Sequence, residues 1–396
     1  MMDIKITPTP LSGTVNAIPS KSQAHRLLIC AALSDSETNI LCSQSNEDID
    51  ATVNCLNALG AQITRTSDGF QVCPIITVPK TANLPCGESG STLRFILPIA
   101  GALGVTATFE LKGRLPQRPL SPLWEEMERM GCFLSRPTED TILCSGKLRS
   151  GLYQIAGNVS SQFISGLLFA LSIIHNSTLK ISGRLESAPY VNMTKLALLK
   201  FGITVQGQEV NGHFHSPGNV DVEGDWSNGA FFLTAKALGQ NIQVINLNTD
   251  SPQGDREIAR LLPLLKTHQT ISAKDIPDLV PILSVAAAAN QGAVFTDIDR
   301  LRLKESDRVK TVIAMLANMG IRAEDTGDSL IVSAGLFQGG TVDAANDHRI
   351  AMAAAIAACI AADPVTIIGA QCVKKSYPHF WEDYKELGGH YEQYIR

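Results

Sequence analysis

Ser20-Lys21-Ser22-Gln23-Ala24-His25-Arg26-Leu27-Leu28-Ile29-Cys30-Ala31-Ala32-Leu33-Ser34 joins two unlike halves. The front places two hydroxyls, an ammonium, an imidazole and a guanidinium within seven residues. The back, Leu27 to Leu33, is apolar on every side, and a helix without a polar face is a buried helix. A buried helix therefore begins in a cluster of donors and cations. Its first turn leaves N–H groups without intrahelical partners and carries partial positive charge. Lys21 and Arg26 strengthen that end into an anion site. Capping alone would account for one such start.

The pattern recurs. Polar starts followed by apolar runs fall at Ser22, Ser91, Ser160, Ser227, Leu279 (after Asp278) and Asp347, in steps of 69, 69, 67, 52 and 68 residues. An amphipathic helix keeps the same beat. It ends at Leu59-Gly60, Met130-Gly131, Phe201-Gly202, Thr267-His268, Met319-Gly320 and Leu387-Gly388. Glycine after the last turn supplies the left-handed stop, and His268 makes the fourth member the exception. Two markers at one period indicate internal repetition. Between them lie β-like runs such as Val105–Leu111 and Val365–Ile368, and short strand pairs such as Ile63–Arg65 with Phe70–Cys73. Each repeat then reads β-α-β-α-β-β over about 70 residues, too few to bury its apolar helix alone. Three repeats packed together could bury three such helices. The expected fold class is therefore α/β, with six βαβαββ repeat units, three per domain.

The chain has 396 residues, a length that suits two domains. Apolar content of 44% and charged content of 18% describe a globular protein, and the net charge of −5 disfavours a general nucleic-acid binder. Nine scattered cysteines, none in a CxxC pair, suit a reducing compartment. Met1 to Pro8 carries no signal-peptide pattern, and no apolar run reaches membrane-spanning length. A cytoplasmic location without a membrane partner is expected. Asp3–Thr7 alternates like a strand, residues 8–19 read as a Pro-rich linker, and 211–225 as a Gly/Asn-rich crossing. The expected domains are 1–13 with 226–396, and 14–225, with an active site in the cleft between them.

Arg118 is fixed between Pro116 and Pro119, Lys304, Glu305 and Arg308 share one charged loop, Arg349 heads the most apolar helix, and Lys375 follows a strand. A cation at the head of a buried helix must face a cleft or bear a desolvation cost. Such heads in both halves point to a site for polyanions. Ser22, Ser160, Ser161, Gln162, Ser187 and Tyr190 add neutral hydrogen-bonding groups, with helix capping as the plain alternative for Ser160. Gly90, in Gly87-Glu88-Ser89-Gly90-Ser91-Thr92, suits close backbone approach to a ligand. Asp278 is either an N-cap or a carboxylate kept ionised among cations, able to accept a proton. Glu305 is a salt-bridge member or a proton donor. No metal-ligand or cofactor motif appears in the sequence.

These motifs together, Ser20-Lys21-Ser22 with Arg26, Gly87 to Arg94, Gln117-Arg118-Pro119, Ser160-Ser161-Gln162, Ser187-Ala188-Pro189-Tyr190, Ile276-Pro277-Asp278, Lys304 to Arg308, Asp347-His348-Arg349 and Lys375-Ser376-Tyr377-Pro378, resemble the EPSP synthase family of enolpyruvyl transferases over essentially the whole chain. The resemblance implies a two-domain inside-out α/β barrel that closes on phosphoenolpyruvate and shikimate 3-phosphate, in the shikimate pathway of aromatic amino-acid biosynthesis. It implies no cofactor, a monomer, and a target for the herbicide glyphosate. It assigns Lys21, Gly90, Arg118, Gln162, Arg308, Arg349 and Lys375 to phosphoenolpyruvate. It assigns Ser22, Arg26, Ser160, Ser161, Gln162, Ser187, Tyr190, Asp278 and Lys304 to shikimate 3-phosphate. Asp278 is the expected base for the substrate hydroxyl. Glu305, with Lys21 as its rival, is the expected acid and then base at the methyl carbon. Glu88 stands where many members of the family carry Asn, and Arg300 where some do.

The nearest alternative is a UDP-N-acetylglucosamine enolpyruvyl transferase. That family has Lys-Asn near the start and a Cys before its Arg-Pro, whereas here Ser22 follows Lys21 and Gly113–Leu120 has no Cys. A non-catalytic anion-binding protein on the same scaffold could lose its proton-transfer groups, yet Asp278 and Glu305 are both present.

Overall fold

The computed structural model describes residues 2–395. Along the chain come strands β1 (Met2–Thr7) and β2 (Ser12–Asn16), then the first repeat: α1 (Lys21–Ala32), β3 (Thr38–Leu41), α2 (Glu47–Ala58), β4 (Gln62–Arg65) and β5 (Gly69–Cys73). The second is β6 (Thr81–Gly87), α3 (Gly90–Leu103), β7 (Thr106–Leu111), α4 (Leu123–Arg129), β8 (Cys132–Ser135) and β9 (Thr141–Gly146). The third is β10 (Leu152–Ala156), α5 (Ser161–Ile174), β11 (Thr178–Ser182), α6 (Ala188–Lys200), β12 (Ile203–Gln206) and β13 (Glu209–Gly212). After β14 (Asn219–Asp221) comes the fourth: α7 (Trp226–Ala237), β15 (Asn241–Ile245) and α8 (Ile258–Leu264). The fifth is β16 (Gln269–Ser272), α9 (Val280–Ala288), β17 (Ala293–Thr296), α10 (Arg308–Asn318), β18 (Ala323–Asp325) and β19 (Ser329–Val332). The sixth is β20 (Gly340–Asp343), α11 (His348–Ala358), β21 (Val365–Ile368), α12 (Phe380–Glu386) and β22 (His390–Ile395).

Complete repeats share one sheet plan. Two parallel strands flank the buried helix, and an antiparallel hairpin closes the sheet in the order β6-β7-β9-β8. The third and fifth repeats copy it as β10-β11-β13-β12 and β16-β17-β19-β18. The first and sixth are completed from elsewhere in the chain. β14 pairs in parallel with β3, Val220 opposite Ile40, and β1 lies between β21 and β22. The fourth repeat is abbreviated: β2 pairs with β15, Val15 opposite Val244, and no hairpin follows. This differs from six equal βαβαββ units and explains the short 52-residue step. It also explains His268, since the chain passes from α8 directly into β16. At the other five helix ends Gly60, Gly131, Gly202, Gly320 and Gly388 all take positive φ, between 82° and 114°.

The chain divides into two compact units, Pro19–Glu223 and Met1–Ile18 with Gly224–Arg396. The first crossing therefore lies at Ile18–Pro19, not at residue 13. The 8–19 stretch is not a plain linker, because β2 is tied to β15 and so belongs to the terminal unit. Similarly, the 211–225 crossing carries the end of β13 and all of β14.

Within each unit the apolar helices lie inside. α7, α9 and α11 pack on one another in the terminal unit, and α3 packs on α5 in the central unit. Gly166 permits that approach, since a Cβ there would stand 2.2 Å from the carbonyl oxygen of Arg94. The even-numbered helices are amphipathic. In α10 the buried residues are Arg308, Val309, Val312, Met315 and Leu316, one stripe at helical spacing. Among the described residues no helix is long and apolar enough to cross a membrane.

Candidate active site

Five of the six buried helices begin at a Ser or Asp cap: Ser20, Ser89, Ser160, Asp225 and Asp347. The cap fixes the first turn and so places the residues just inside it. In the central unit Lys21 Nζ lies 2.8 Å from Asp48 Oδ2, on the first turn of α2. Arg26 is buried against the Phe95 ring at 5.1 Å. Three of its N–H groups go to protein oxygens: Nε to Thr194 Oγ1 at 2.8 Å, Nη1 to the Ser22 carbonyl at 2.5 Å, and Nη2 to the Tyr190 carbonyl at 3.0 Å. Burial lowers its pKa to about 10, so it stays cationic at neutral pH. The Tyr190 contact to Arg26 is thus made by its backbone.

Arg94, the fifth residue of α3, donates to Gln162 Oε1 at 2.9 Å, and Gln162 Nε2 donates to Ser91 Oγ at 2.9 Å. Ser160 caps α5 by accepting from the Gln162 backbone N–H at 3.2 Å, so the capping reading holds for it. Ser161 is buried beside it. Ser187 is buried too and stands in the left-handed region, φ +52°, just before α6. Gly90 lies under two guanidinium groups. A Cβ there would stand 2.6 Å from Arg94 Nη1 and 2.7 Å from Arg118 Nη1. The Glu88 carboxyl lies against Gly113, where a Cβ would meet its Oε2 at 2.5 Å.

In the terminal unit three carboxylates meet three cations. Arg308, the first residue of α10, is fully buried. Its Nη1 lies 2.5 Å from Asp278 Oδ1, its Nη2 2.7 Å from Glu305 Oε2, and its Nε 2.9 Å from Asp347 Oδ2. Arg349 Nη2 reaches Asp278 Oδ2 at 3.2 Å, and Lys304 Nζ reaches Asp278 Oδ1 at 3.4 Å. Lys375 is buried and donates to the Asn346 carbonyl at 3.0 Å. Asp278 is not a helix cap: α9 starts after Leu279, without a side-chain cap. Burial alone would raise its pKa, but Arg349, Lys304 and Arg308 outweigh that and hold it well below the usual carboxylate range. Burial lowers the Lys304 pKa to about 8, with Asp278 opposing the shift. The guanidinium and ammonium groups are thus desolvated and held in fixed orientation by the carboxylates they pair with.

Asp255, Asp48, Thr52 and Thr92 escaped the sequence reading. Asp255 accepts from Ser227 Oγ, and burial, then the charge of Asp278, raises its pKa to about 6. Between its ordinary 3.8 and about 6 the folded state binds more protons than the unfolded, so Asp255 loses stabilising effect as pH rises through that window. Asp255→Asn removes this slope. Urea unfolding should show the variant gaining stability relative to the parent from about pH 4 to about pH 7. An equal difference at both pH values would contradict the assignment.

A sequence model described as EPSP synthase (3-phosphoshikimate 1-carboxyvinyltransferase) matches residues 6–268 and 263–384. The 3-phosphoshikimate 1-carboxyvinyltransferase of Clostridium kluyveri is 38% identical over 423 aligned residues, covering 100% of this chain and 99% of the relative. That of Clostridioides difficile is 35% identical over 434, with coverage of 100% and 99%. Among solved structures, an EPSP synthase from Acinetobacter baumannii aligns with a TM-score of 0.81 at 22% identity, both chains fully covered. The enolpyruvyl transferase NikO from Streptomyces tendae aligns at 0.77 and 16% identity, covering 100% of this chain and 99% of that one. At such identities the structural likeness speaks for the fold alone. The sequence relatives extend from end to end and carry one name, so the chain belongs to the EPSP synthase (3-phosphoshikimate 1-carboxyvinyltransferase) family.

Proposed function

We propose that this protein transfers the enolpyruvyl group of phosphoenolpyruvate to the 5-hydroxyl of shikimate 3-phosphate, giving 5-enolpyruvylshikimate 3-phosphate and phosphate. The observation that carries the reading is end-to-end membership in a family whose relatives bear that activity as their name. The clustered cations supply its physical support. Two unit charges of like sign 4 Å apart repel by about 4 kcal/mol at an effective dielectric of 20, so two polyanions need neutralising groups to react.

The enol CH2 of phosphoenolpyruvate takes a proton, C2 becomes cationic, and the 5-hydroxyl oxygen attacks it. The tetrahedral intermediate loses phosphate by breaking its C2–O bond and then loses a methyl proton. Asp278 accepts the hydroxyl proton. Glu305, 2.7 Å from Arg308, serves as acid and then base at the methyl carbon, with Lys21 the rival group. Lys21, Arg118, Arg308, Arg349 and Lys375 stabilise the charge of the departing phosphate. Ser22, Arg26, Ser160, Ser161, Ser187 and Lys304 hold shikimate 3-phosphate. We place the protein in the cytoplasm as a monomer acting without nucleic acid, membrane or cofactor. The net charge of −5 and nine cysteines without a CxxC pair favour that setting.

Phosphate release from phosphoenolpyruvate tests the reading. Release is expected with shikimate 3-phosphate, and neither with UDP-N-acetylglucosamine nor without an acceptor. Tight binding of both substrates without release would leave only an anion-binding protein. Gly90→Ala probes the phosphoenolpyruvate side. The two guanidinium groups over Gly90 must withdraw to admit the methyl, but both are ends of flexible side chains. The KM for phosphoenolpyruvate should rise about tenfold with little change in melting temperature. An unchanged KM would remove Gly90 from that contact.

A further inference from the structure

Three helices of the central unit are tied together, in their N-terminal halves, by a buried chain of polar side chains. His25 Nδ1 on α1 lies 2.7 Å from Thr52 Oγ1 on α2, which lies 2.7 Å from Thr92 Oγ1 on α3. Thr92 Oγ1 lies 2.8 Å from Ser89 Oγ and 3.3 Å from the Asp48 carbonyl oxygen. His25, Thr52 and Thr92 are 0% exposed and Ser89 is 1% exposed. Polar groups in so dry a place cost free energy unless each is satisfied, and valine would fill the space of either threonine without that cost. The core is not built that way at 52 and 92.

The imidazole sets the direction of the chain. His25 Nε2 is buried with no partner. An orphaned buried N–H is rarer than an under-used acceptor, so the proton belongs on Nδ1. Burial, then Lys21 and Arg26, disfavour a second proton, and the ring is neutral. His25 then donates to Thr52, Thr52 to Thr92, and Thr92 to Ser89 or to the Asp48 carbonyl. Bonds running in one direction polarise one another.

From Thr92 the chain branches to two residues, Ser89 and Asp48, that adjoin groups the proposed reaction uses. Ser89 caps α3, accepting from the Thr92 N–H at 3.3 Å, and so fixes the turn that carries Gly90. Asp48 holds Lys21 at 2.8 Å. We propose that His25, acting through Thr52 and Thr92, is a positioning residue that locks the N-terminal halves of α1, α2 and α3 in one register and sets Lys21 and Gly90 for the phosphoenolpyruvate anion. The proposal rests on the enolpyruvyl-transfer reading.

Thr52→Val keeps the volume and removes the hydroxyl, and Thr52→Ser restores it. In T52V the KM for phosphoenolpyruvate is expected to rise about tenfold, with kcat within about threefold and the KM for shikimate 3-phosphate within about twofold. T52S should return close to the parent. A merely structural role would lower the melting temperature without this split. A phosphoenolpyruvate KM in T52V within twofold of the parent would overturn the proposal, as would a T52S enzyme as impaired as T52V. If T52V fails to fold, Thr92→Val and Thr92→Ser carry the same comparison. Should the parent enzyme release no phosphate with shikimate 3-phosphate, the reaction reading fails, and the chain is still read by NMR. Long-range proton–nitrogen spectra of His25 should show Nδ1 protonated and no titration between about pH 5 and pH 8. A ring protonated on Nε2, or one that titrates there, overturns the chain itself.

Discussion

Asp278→Asn is expected to lower kcat about a thousandfold while leaving both KM values within about threefold, because general-base removal typically costs 10²–10⁴. The carboxylate sits among Arg308, Arg349 and Lys304 at 2.5, 3.2 and 3.4 Å. Asparagine keeps the size and loses the charge. The three cations are then less neutralised, so affinity for an anionic substrate should not fall. Asp278→Ala should share the kinetic defect and add a stability loss, since it leaves the Arg308 and Arg349 donors facing a void. Because Asp278 is held well below the usual carboxylate range, it stays ionised across the neutral region. The acid limb of the pH–rate profile of the parent enzyme therefore belongs to another group. Steady-state kinetics of the two variants decide the matter, and unchanged turnover in either removes Asp278 as the base.

Arg308→Met should produce the largest loss of stability. Its guanidinium is fully buried and serves three carboxylates. Removing one partner of a buried ion pair typically costs about 3–5 kcal/mol, because the charges left behind are uncompensated. The pH dependence follows from Asp347. Burial would raise its pKa, but Arg308 and other neighbours depress it below the ordinary 3.8. A carboxylate with a depressed folded pKa lends stability that is present above the unfolded value and is lost as pH falls through the folded one. The deficit of the variant should therefore be largest near pH 7 and shrink below about pH 4. Urea unfolding at the two pH values measures it. A loss under about 1 kcal/mol at neutral pH would mean that the three carboxylates find other partners.

The helix heads were legible because their signals are local. A polar start and an apolar run lie within a dozen residues, and six copies at a near-regular spacing reinforce each other. The 52-residue step was also visible, but only the sheet shows that the fourth repeat lacks its hairpin. β2 and β14 were missed for a physical reason. Each is short, set among Pro, Gly and polar residues, and stabilised by pairing across more than 170 residues of sequence. Asp278 was ambiguous because a carboxylate before a helix reads alike as cap or ligand. Its separation from the α9 cap position removes the cap reading, and only the folded chain brings Arg308 and Arg349 to it. His25, Thr52 and Thr92 carry no pattern at all, since their chain exists only once three helices pack.

The most direct test of the reaction follows the bridging oxygen of phosphoenolpyruvate. Labelled with oxygen-18 at that atom and turned over with shikimate 3-phosphate, the substrate should deliver its label to the released phosphate, because the C2–O bond breaks. Unlabelled phosphate, with the label kept on the organic product, would contradict a tetrahedral intermediate that expels phosphate.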